Sequence, residues 1–292
     1  MEPLIASSGV RVDVAGLPEI DGISLTTTGR WVLVLGASLA FFEAAAGLRP
    51  VARGELRIGG LPPLDAVRAR VSASAPLDPP MPRRWTVRQY VAWSARLAGQ
   101  PRALAESNVS DSLERLELLT VESTRLGVAP TALRRAAVLA AAVATGAAIV
   151  LAEDPSAGLL PEGARSLARV VARALGDRRA VIFGARIPLE SPVALAADEA
   201  VVVQGSQVVA QGAPAEIAAD QRTVALRLAG DIDAFSQALQ GQGGRLLASS
   251  GPSSPAHISV HLGSLRTRDL FRIAESSNAI VLELRPLAHA FA

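Results

Sequence analysis

Apolar residues alternate with polar ones in short segments over the first third of the chain, and this pattern predicts β-strands. A proline-dense loop, residues 76–82, follows, and beyond it apolar residues recur at the spacing of helices. A strand-rich part is therefore predicted to lead into a helical insert. The predicted strands are 10–14, 22–27, 30–36, 54–60 and 70–75, and the predicted helices are 86–99 and 101–119.

Apolar strands alternate with helices further along the chain, and a hairpin with Gly205 and Ser206 at its turn closes this part. Such an order predicts a mostly parallel sheet that is covered by helices on both faces. The predicted elements are helix 130–145, strand 147–153, helix 162–175, strand 179–185 and hairpin 199–212.

The pattern changes after Ile217 and predicts a small separate α+β domain, residues 221–292. Segment 249–255 is rich in serine, proline and glycine between two predicted strands, so it is interpreted as a hairpin loop. The predicted elements are strand 223–228, helix 231–240, strand 245–249, strand 257–262, helix 266–276 and strand 279–285.

The amino-acid composition excludes several kinds of site chemistry. The 292 residues are 50% hydrophobic and include no cysteine, which excludes disulfides and thiolate metal sites. The net charge of +2 implies no strong nucleic-acid surface, and all 29 basic residues are arginine, so lysine-dependent chemistry is excluded. The apolar run 136–152 is predicted to be a buried helix followed by a buried strand, not a membrane span. The N-terminal sequence shows no secretory signal pattern, so a cytoplasmic location is expected.

Four segments, in this order, resemble the ATPase subunit of an ATP-binding cassette (ABC) transporter over about residues 4–220. They are "GRWVLVLG…AGLRPVARGELRIGG", "WTVRQYVAWSARLAG", "EDPSAGLLPEG" and "ADEAVVVQGSQVVAQGAPAEI". The remaining segment, which ends in "ELRPLAHAFA", resembles the C-terminal extension of ABC subunits that serve two-component exporters or gliding machinery. The resemblance implies an α/β, P-loop NTPase-like ABC nucleotide-binding-domain fold in residues 1–220, with a helical insert at about 78–145, plus the small α+β domain.

The phosphate-binding loop of the family is the first departure. Between Gly36 and Gly47 the chain is four residues shorter than the family's P-loop, and only Gly36, Ala37 and Ser38 remain where that loop should arch. A ring of N–H donors for phosphate is therefore not expected. Ser38 is interpreted as the N-cap of a helix at 39–46, with a surviving Mg²⁺ ligand as the alternative.

The loops that sense and close on the nucleotide also depart from the family. Leu77 stands where the family has glutamine or glutamate, and leucine cannot coordinate Mg²⁺ or orient water. In "APTAL" (129–133), Pro130 lacks an N–H, while Thr131 and Ala132 replace the two glycines of the signature loop. Arg134 follows and is interpreted as an ordinary helix residue, with a phosphate contact as the alternative.

The acidic end of the site is rearranged. The family pairs a metal-binding aspartate with a catalytic glutamate, whereas this chain has Glu153 followed by Asp154. A strand terminus exposed to water is the simplest interpretation, and cation binding by the two acids is the alternative. Leu160 replaces a family aspartate, and Arg186 replaces the switch histidine. Arginine does not deprotonate near neutral pH, although it could contact a partner's acid.

These residues predict a catalytically inactive subunit that binds no ATP, cofactor or metal and that pairs with other proteins. The expected partners are an integral membrane ABC-type subunit and either an intact homologous ABC ATPase or a second copy of this chain. The complex is expected at the inner face of the cytoplasmic membrane, and nucleic acid is not expected as a partner. The alternatives are a weak ATPase that uses Glu153 and Asp154, and a soluble regulatory ABC-like protein.

The surface expected to contact the membrane subunit is the groove between the core and the helical insert. In the family, a cytoplasmic helix of the membrane partner docks there. The candidate residues are Leu77, Met81, Trp85 and Trp93, and packing of Trp85 into the protein's own core is the alternative. His257, His261 and His289 lack the pattern of a metal site.

Overall fold

A six-stranded sheet forms the centre of the molecule. The computed structural model describes residues 2–36, 39–220, 222–250 and 255–287. Five strands of the central sheet are parallel, and the last strand runs antiparallel as the second arm of a hairpin. In order across the sheet they are β5 (Ser72–Ala75), β6 (Ile149–Glu153), β7 (Arg179–Gly184), β3 (Trp31–Leu35), β8 (Glu199–Gln204) and β9 (Gln207–Gly212).

The central strands are buried because both faces of the sheet are covered. Every residue of β3 is buried, as the uninterrupted apolar sequence of that strand predicts. The hairpin between β8 and β9 has the predicted turn, with Gly205 at a φ of +59° that favours glycine. The prediction of a mostly parallel, doubly covered sheet is confirmed.

A three-stranded antiparallel sheet and a short helix cover one face. The strands, in sheet order, are β2 (Leu17–Thr26), β1 (Ile5–Val14) and β4 (Arg53–Ile58). Helix α1 (Leu39–Ala45) places Phe41 and Phe42 edge-to-face against Phe183 of β7, with ring centroids 5.9 and 5.5 Å apart. These aromatic rings are part of the hydrophobic core that joins the two sheets.

Four longer helices belong to the core on the other face. Every residue of α5 from Arg135 to Ala144 is buried, so the alanine-rich run 136–152 is a buried helix followed by buried β6, as predicted. In the part of the chain that the structure describes, no helix is long and apolar enough to cross a membrane. The four helices are α3 (Val87–Leu97), α4 (Arg102–Arg115), α5 (Thr131–Ala144) and α6 (Pro161–Leu175), with a short 3-10 helix at Leu119–Val121.

Three short helices were not predicted from the sequence. They are α2 (Pro63–Arg68), α7 (Pro192–Ala196) and α8 (Pro214–Ala219), and each begins with proline. Proline is favoured in the first helical turn because its missing N–H has no partner there in any case. Such segments resemble loops in sequence, which is why they were missed.

A second sheet with its own core follows from Thr223. Its strands have the order β11 (Arg245–Ser249), β12 (Ala256–His261), β10 (Thr223–Gly230) and β13 (Ala279–Pro286), all antiparallel. With α9 (Ile232–Gly241) and α10 (Thr267–Ser276) the chain order is βαββαβ, the split βαβ arrangement. The pairing of β11 with β12 agrees with the predicted hairpin, and most of its loop lies outside the described residues.

The C-terminal sheet also contacts the main body. Ala248 and Leu287 are 1% and 2% exposed and belong to the hydrophobic core of the central sheet. Ser259 of β12 donates a hydrogen bond to Gln204 of β8. The boundary between predicted domains 1–220 and 221–292 stays a prediction.

Candidate functional site

The connection between β3 and α1 is three residues long. β3 ends at Leu35, Gly36 follows with a φ of +73°, and its N–H donates to the Gly184 carbonyl over 2.9 Å. α1 begins at Leu39. Ala37 and Ser38, and with them the predicted N-cap, lie outside the described residues.

Glu153 lies at the carboxyl end of β6 and is bound to the loop that follows β5. Its Oε2 accepts a hydrogen bond of 2.6 Å from the backbone N–H of Leu77. Burial raises the pKa of Glu153, and the nearby carboxylates of Glu43 and Asp78 raise it further, while the Leu77 hydrogen bond opposes this shift. Leu77 thus contacts Glu153 through its backbone.

Asp154 is almost completely buried, with 6% of its surface exposed. Its Oδ1 accepts hydrogen bonds from Ser156 N at 2.9 Å and Ser156 Oγ at 2.5 Å, and its backbone N–H donates to the Phe183 carbonyl. Burial raises the pKa of Asp154, and the two bonds from Ser156 oppose that rise. The carboxylate therefore holds the turn after β6 instead of facing water, which corrects the interpretation of Asp154 as a solvated strand terminus.

A cavity of about 350 Å³ lies at the ends of β6 and β7. Arg186 lines it and is exposed. Leu160 lies two residues beyond Gly158, which lines the cavity, and is itself 82% exposed. The structure therefore brings four predicted site residues together around one cavity: Leu77, Glu153, Asp154 and Arg186. The walls of this cavity also include Leu39, Phe42 and Phe183.

The candidate signature positions begin α5. Pro130 is the residue before the helix, and Ala132 packs partly against the core. The guanidinium of Arg134 donates to the Ala129 carbonyl at 3.0 Å and to Thr131 Oγ1 at 3.2 Å, so it stabilises this helix start locally. A second cavity, of about 460 Å³, is lined by Leu77, Met81, Arg83, Thr131 and Arg134.

Arg135 joins three segments of the site, and the sequence pattern did not reveal it. Its side chain is buried and donates to both carboxylate oxygens of Asp78, at 3.3 and 3.0 Å. It also donates to the carbonyls of Pro155 and Ala157, at 3.2 and 2.5 Å. Arg135 therefore links α5, the loop after β5 and the turn after β6, and its partners lie 20–57 positions away in sequence.

The four candidate docking residues lie along the loop 76–86 and α3. Met81 and Trp85 are half-buried against the main core, so Trp85 packs in part into the protein itself. The rings of Trp85 and Trp93 meet edge-to-face with centroids 5.5 Å apart, and Trp93 remains 45% exposed. A groove of about 330 Å³ separates α2 and β5 from α3 and α5, and Leu97, 66% exposed, lines it.

Among the described residues, no group of three or more His, Cys, Asp or Glu side chains could hold a metal ion. The ring nitrogen Nδ1 of His261 accepts a hydrogen bond from the Gly263 N–H, and His257 is exposed. His289 lies outside the described residues.

Solved structures of ABC transporter subunits share this fold. One is CbiO1 of Clostridium perfringens, part of the ABC transporter complex CbiONQ, with a TM-score of 0.64 and 15% identity over 75% of this chain and 92% of that one. An ATP-binding subunit of an ABC transporter has a TM-score of 0.61 and 15% identity over 73% of this chain and 91% of that one. A nucleotide-free ATP-binding cassette from an ABC transporter has a TM-score of 0.60 and 14% identity over 72% of this chain and 91% of that one. No protein-family model and no curated protein matches the chain. The chain therefore has the mixed α/β fold of ABC nucleotide-binding domains.

Proposed function

We propose that the protein is a non-catalytic, pairing subunit of a membrane ABC-type complex, in which the fold serves assembly and no ATP is bound or hydrolysed. The observation that carries this proposal is the three-residue connection from β3 to α1, residues 36–38. A phosphate cradle needs several successive N–H groups that converge on the phosphates, together with a lysine. The connection is too short for such a cradle, and the chain contains no lysine.

The walls of the cavity support the same proposal. Leu39 and Phe42 of α1 and Leu77 of the loop present apolar groups around Glu153 and Asp154. Neither carboxylate is free, since Glu153 accepts from Leu77 N–H and Asp154 accepts from Ser156. Burial also raises both pKa values, so ionisation of either carboxylate carries a desolvation cost. These residues do not fit Mg-ATP.

The proposal assigns the retained surfaces to partners. The protein would lie in the cytoplasm at the inner face of the membrane. One partner would be an integral membrane subunit, and the other would be an intact ABC ATPase or a second copy of this chain. Both contacts would use the fold without ATP chemistry. The exposed Trp93, supported by Trp85, is an aromatic anchor of the kind that dominates binding energy at protein interfaces. Met81 and Leu77 continue this surface toward the cavity of about 460 Å³.

A thermal-shift measurement with Mg-ATP tests the absence of nucleotide binding. Each missing charge-assisted hydrogen bond to phosphate is worth about 1.5–3 kcal/mol, so the loss of the cradle and of the lysine reduces affinity to a negligible level. We expect no rise in melting temperature that depends on Glu153 at millimolar Mg-ATP, and no phosphate release. A rise of several degrees that disappears in Glu153→Ala would overturn the proposal.

Photo-cross-linking tests the docking surface. A cross-linker placed at Met81, Trp85 or Trp93 in native membranes is expected to capture one integral membrane protein. The same group at Leu17, which is exposed on β2, serves as the matched control and should not capture it. Equal capture from both surfaces, or none from either, would contradict this assignment.

A further inference from the structure

A cavity of about 470 Å³ lies between the central sheet and the C-terminal sheet. On the central side it is bounded by Gly36 at the end of β3, by Arg186 after β7 and by Gln204 at the hairpin turn. Open α/β sheets bind ligands in the crevice outside the carboxyl ends of their parallel strands. The C-terminal sheet borders that crevice here, and the volume lies within the range of small-ligand sites.

The wall from the C-terminal sheet carries charge. The strand register pairs Arg227 of β10 with His257 of β12 and with Glu283 of β13, so these residues are neighbours on one face. Leu226 and Leu228, which alternate with Arg227, belong to the hydrophobic core under the helices, so Arg227 belongs to the opposite face.

The cavity has an excess of positive charge. Of the residues that the structure describes, three arginines and one glutamate line it, an excess of two positive charges with His257 neutral. Glu283 forms an ion pair with Arg285. The guanidinium groups of Arg186 and Arg227 form no ion pair or hydrogen bond with any described residue, which leaves them available to a ligand.

We propose that this cavity binds a small phosphate-bearing molecule, with Arg186 and Arg227 as the groups that pair with its phosphate oxygens. A guanidinium donates two parallel hydrogen bonds to phosphate and keeps its charge at all physiological pH values. Val203 and Leu287 supply apolar wall for the rest of the ligand. The inference goes beyond the proposed function, since it uses neither Glu153, Asp154 nor a metal ion, although Arg186 lines both this cavity and the cavity at β6.

Calorimetric titration of the full chain with pyrophosphate in the presence of EDTA tests this site. Arg227→Gln should weaken binding about tenfold to a hundredfold, because it removes a charge-assisted contact. Glu283→Gln should strengthen binding, because it removes the one carboxylate from the wall. Circular dichroism melting checks that each variant is folded.

Two matched variants separate binding in this cavity from binding elsewhere on the protein. Arg272→Gln removes an exposed arginine of α10 that pairs with Asp269, and it should leave pyrophosphate affinity unchanged. Glu153→Ala should also leave it unchanged, whereas binding in the cavity at β6 would change. Failure of the wild-type protein to bind pyrophosphate, retention of full affinity by folded Arg227→Gln, or equally tight binding of citrate would overturn the proposal.

Discussion

Asp154 keeps its carboxylate out of water, and both of its side-chain hydrogen bonds come from Ser156. Because burial raises its pKa above the ordinary 3.8, the folded chain holds this proton more tightly than the unfolded chain does. The stability that Asp154 contributes when protonated is therefore lost as the pH rises through its folded pKa. At neutral pH its charge is a cost to folding.

Asp154→Asn should remove that cost and keep an oxygen that accepts from Ser156 N–H. We expect the stability of the variant relative to the wild type to increase as the pH rises above about 4, measured by urea unfolding at several pH values. Asp177→Asn is the control, because Arg115 lowers the pKa of Asp177 by a hydrogen bond of 2.8 Å. The stability of Asp177→Asn relative to the wild type should decrease as the pH rises, because the pKa of Asp177 is lowered, and the change should be smaller because Asp177 is exposed. If both variants changed with pH in the same direction, the account would be contradicted.

Position along a strand is enough to indicate which residues share an edge of the sheet. Glu153 and Arg186 follow neighbouring parallel strands, so both border one cavity at the same sheet edge. The partners of Arg135 could not be predicted in this way. Asp78 lies 57 positions away in an irregular loop, and no periodicity specifies which of two adjacent arginines turns inward.

At the level of elements, Arg135 is the contact that fixes the loop after β5 to α5 and to the turn after β6. Arg135→Ala should cost about 1–3 kcal/mol of unfolding free energy, since it leaves the Pro155 and Ala157 carbonyls without this donor. Arg134→Ala, on the same helix, should cost less than about 1 kcal/mol, because its bonds are local and half-exposed. Equal losses in chemical denaturation would show that Arg135 has no such role.

Element boundaries were predicted closely where apolar runs are continuous. Strands β3, β6 and β7 are such runs, and each was located within about two residues. β1 begins at Ile5 instead of residue 10, because Gly9, with a φ of +56°, and irregular pairing between Ser7 and Val10 interrupt the alternation.

At the scale of the whole molecule, the proposed function requires that the fold be retained without ATP chemistry. Hydrophobic cores cover both faces of the central sheet and lie under one face of the C-terminal sheet, and Ala248 and Leu287 join the C-terminal sheet to the main body. Substitutions in a core usually destabilise a protein, so coherent cores are what the proposed structural role requires. The sequence could predict each core separately, but the crevice between them depends on how the two sheets pack.

The measurement that tests the central claim most directly compares site variants with a docking variant in cells that lack the native gene. Glu153→Ala and Asp154→Ala are each expected to restore the activity of the complex and to retain the membrane protein cross-linked from Trp93. Leu77→Asp, which places a charge in the docking loop, is expected to lose both. If the folded acid variants assemble normally but abolish activity, the protein performs chemistry at Glu153 and Asp154, and the account of a non-catalytic subunit is wrong.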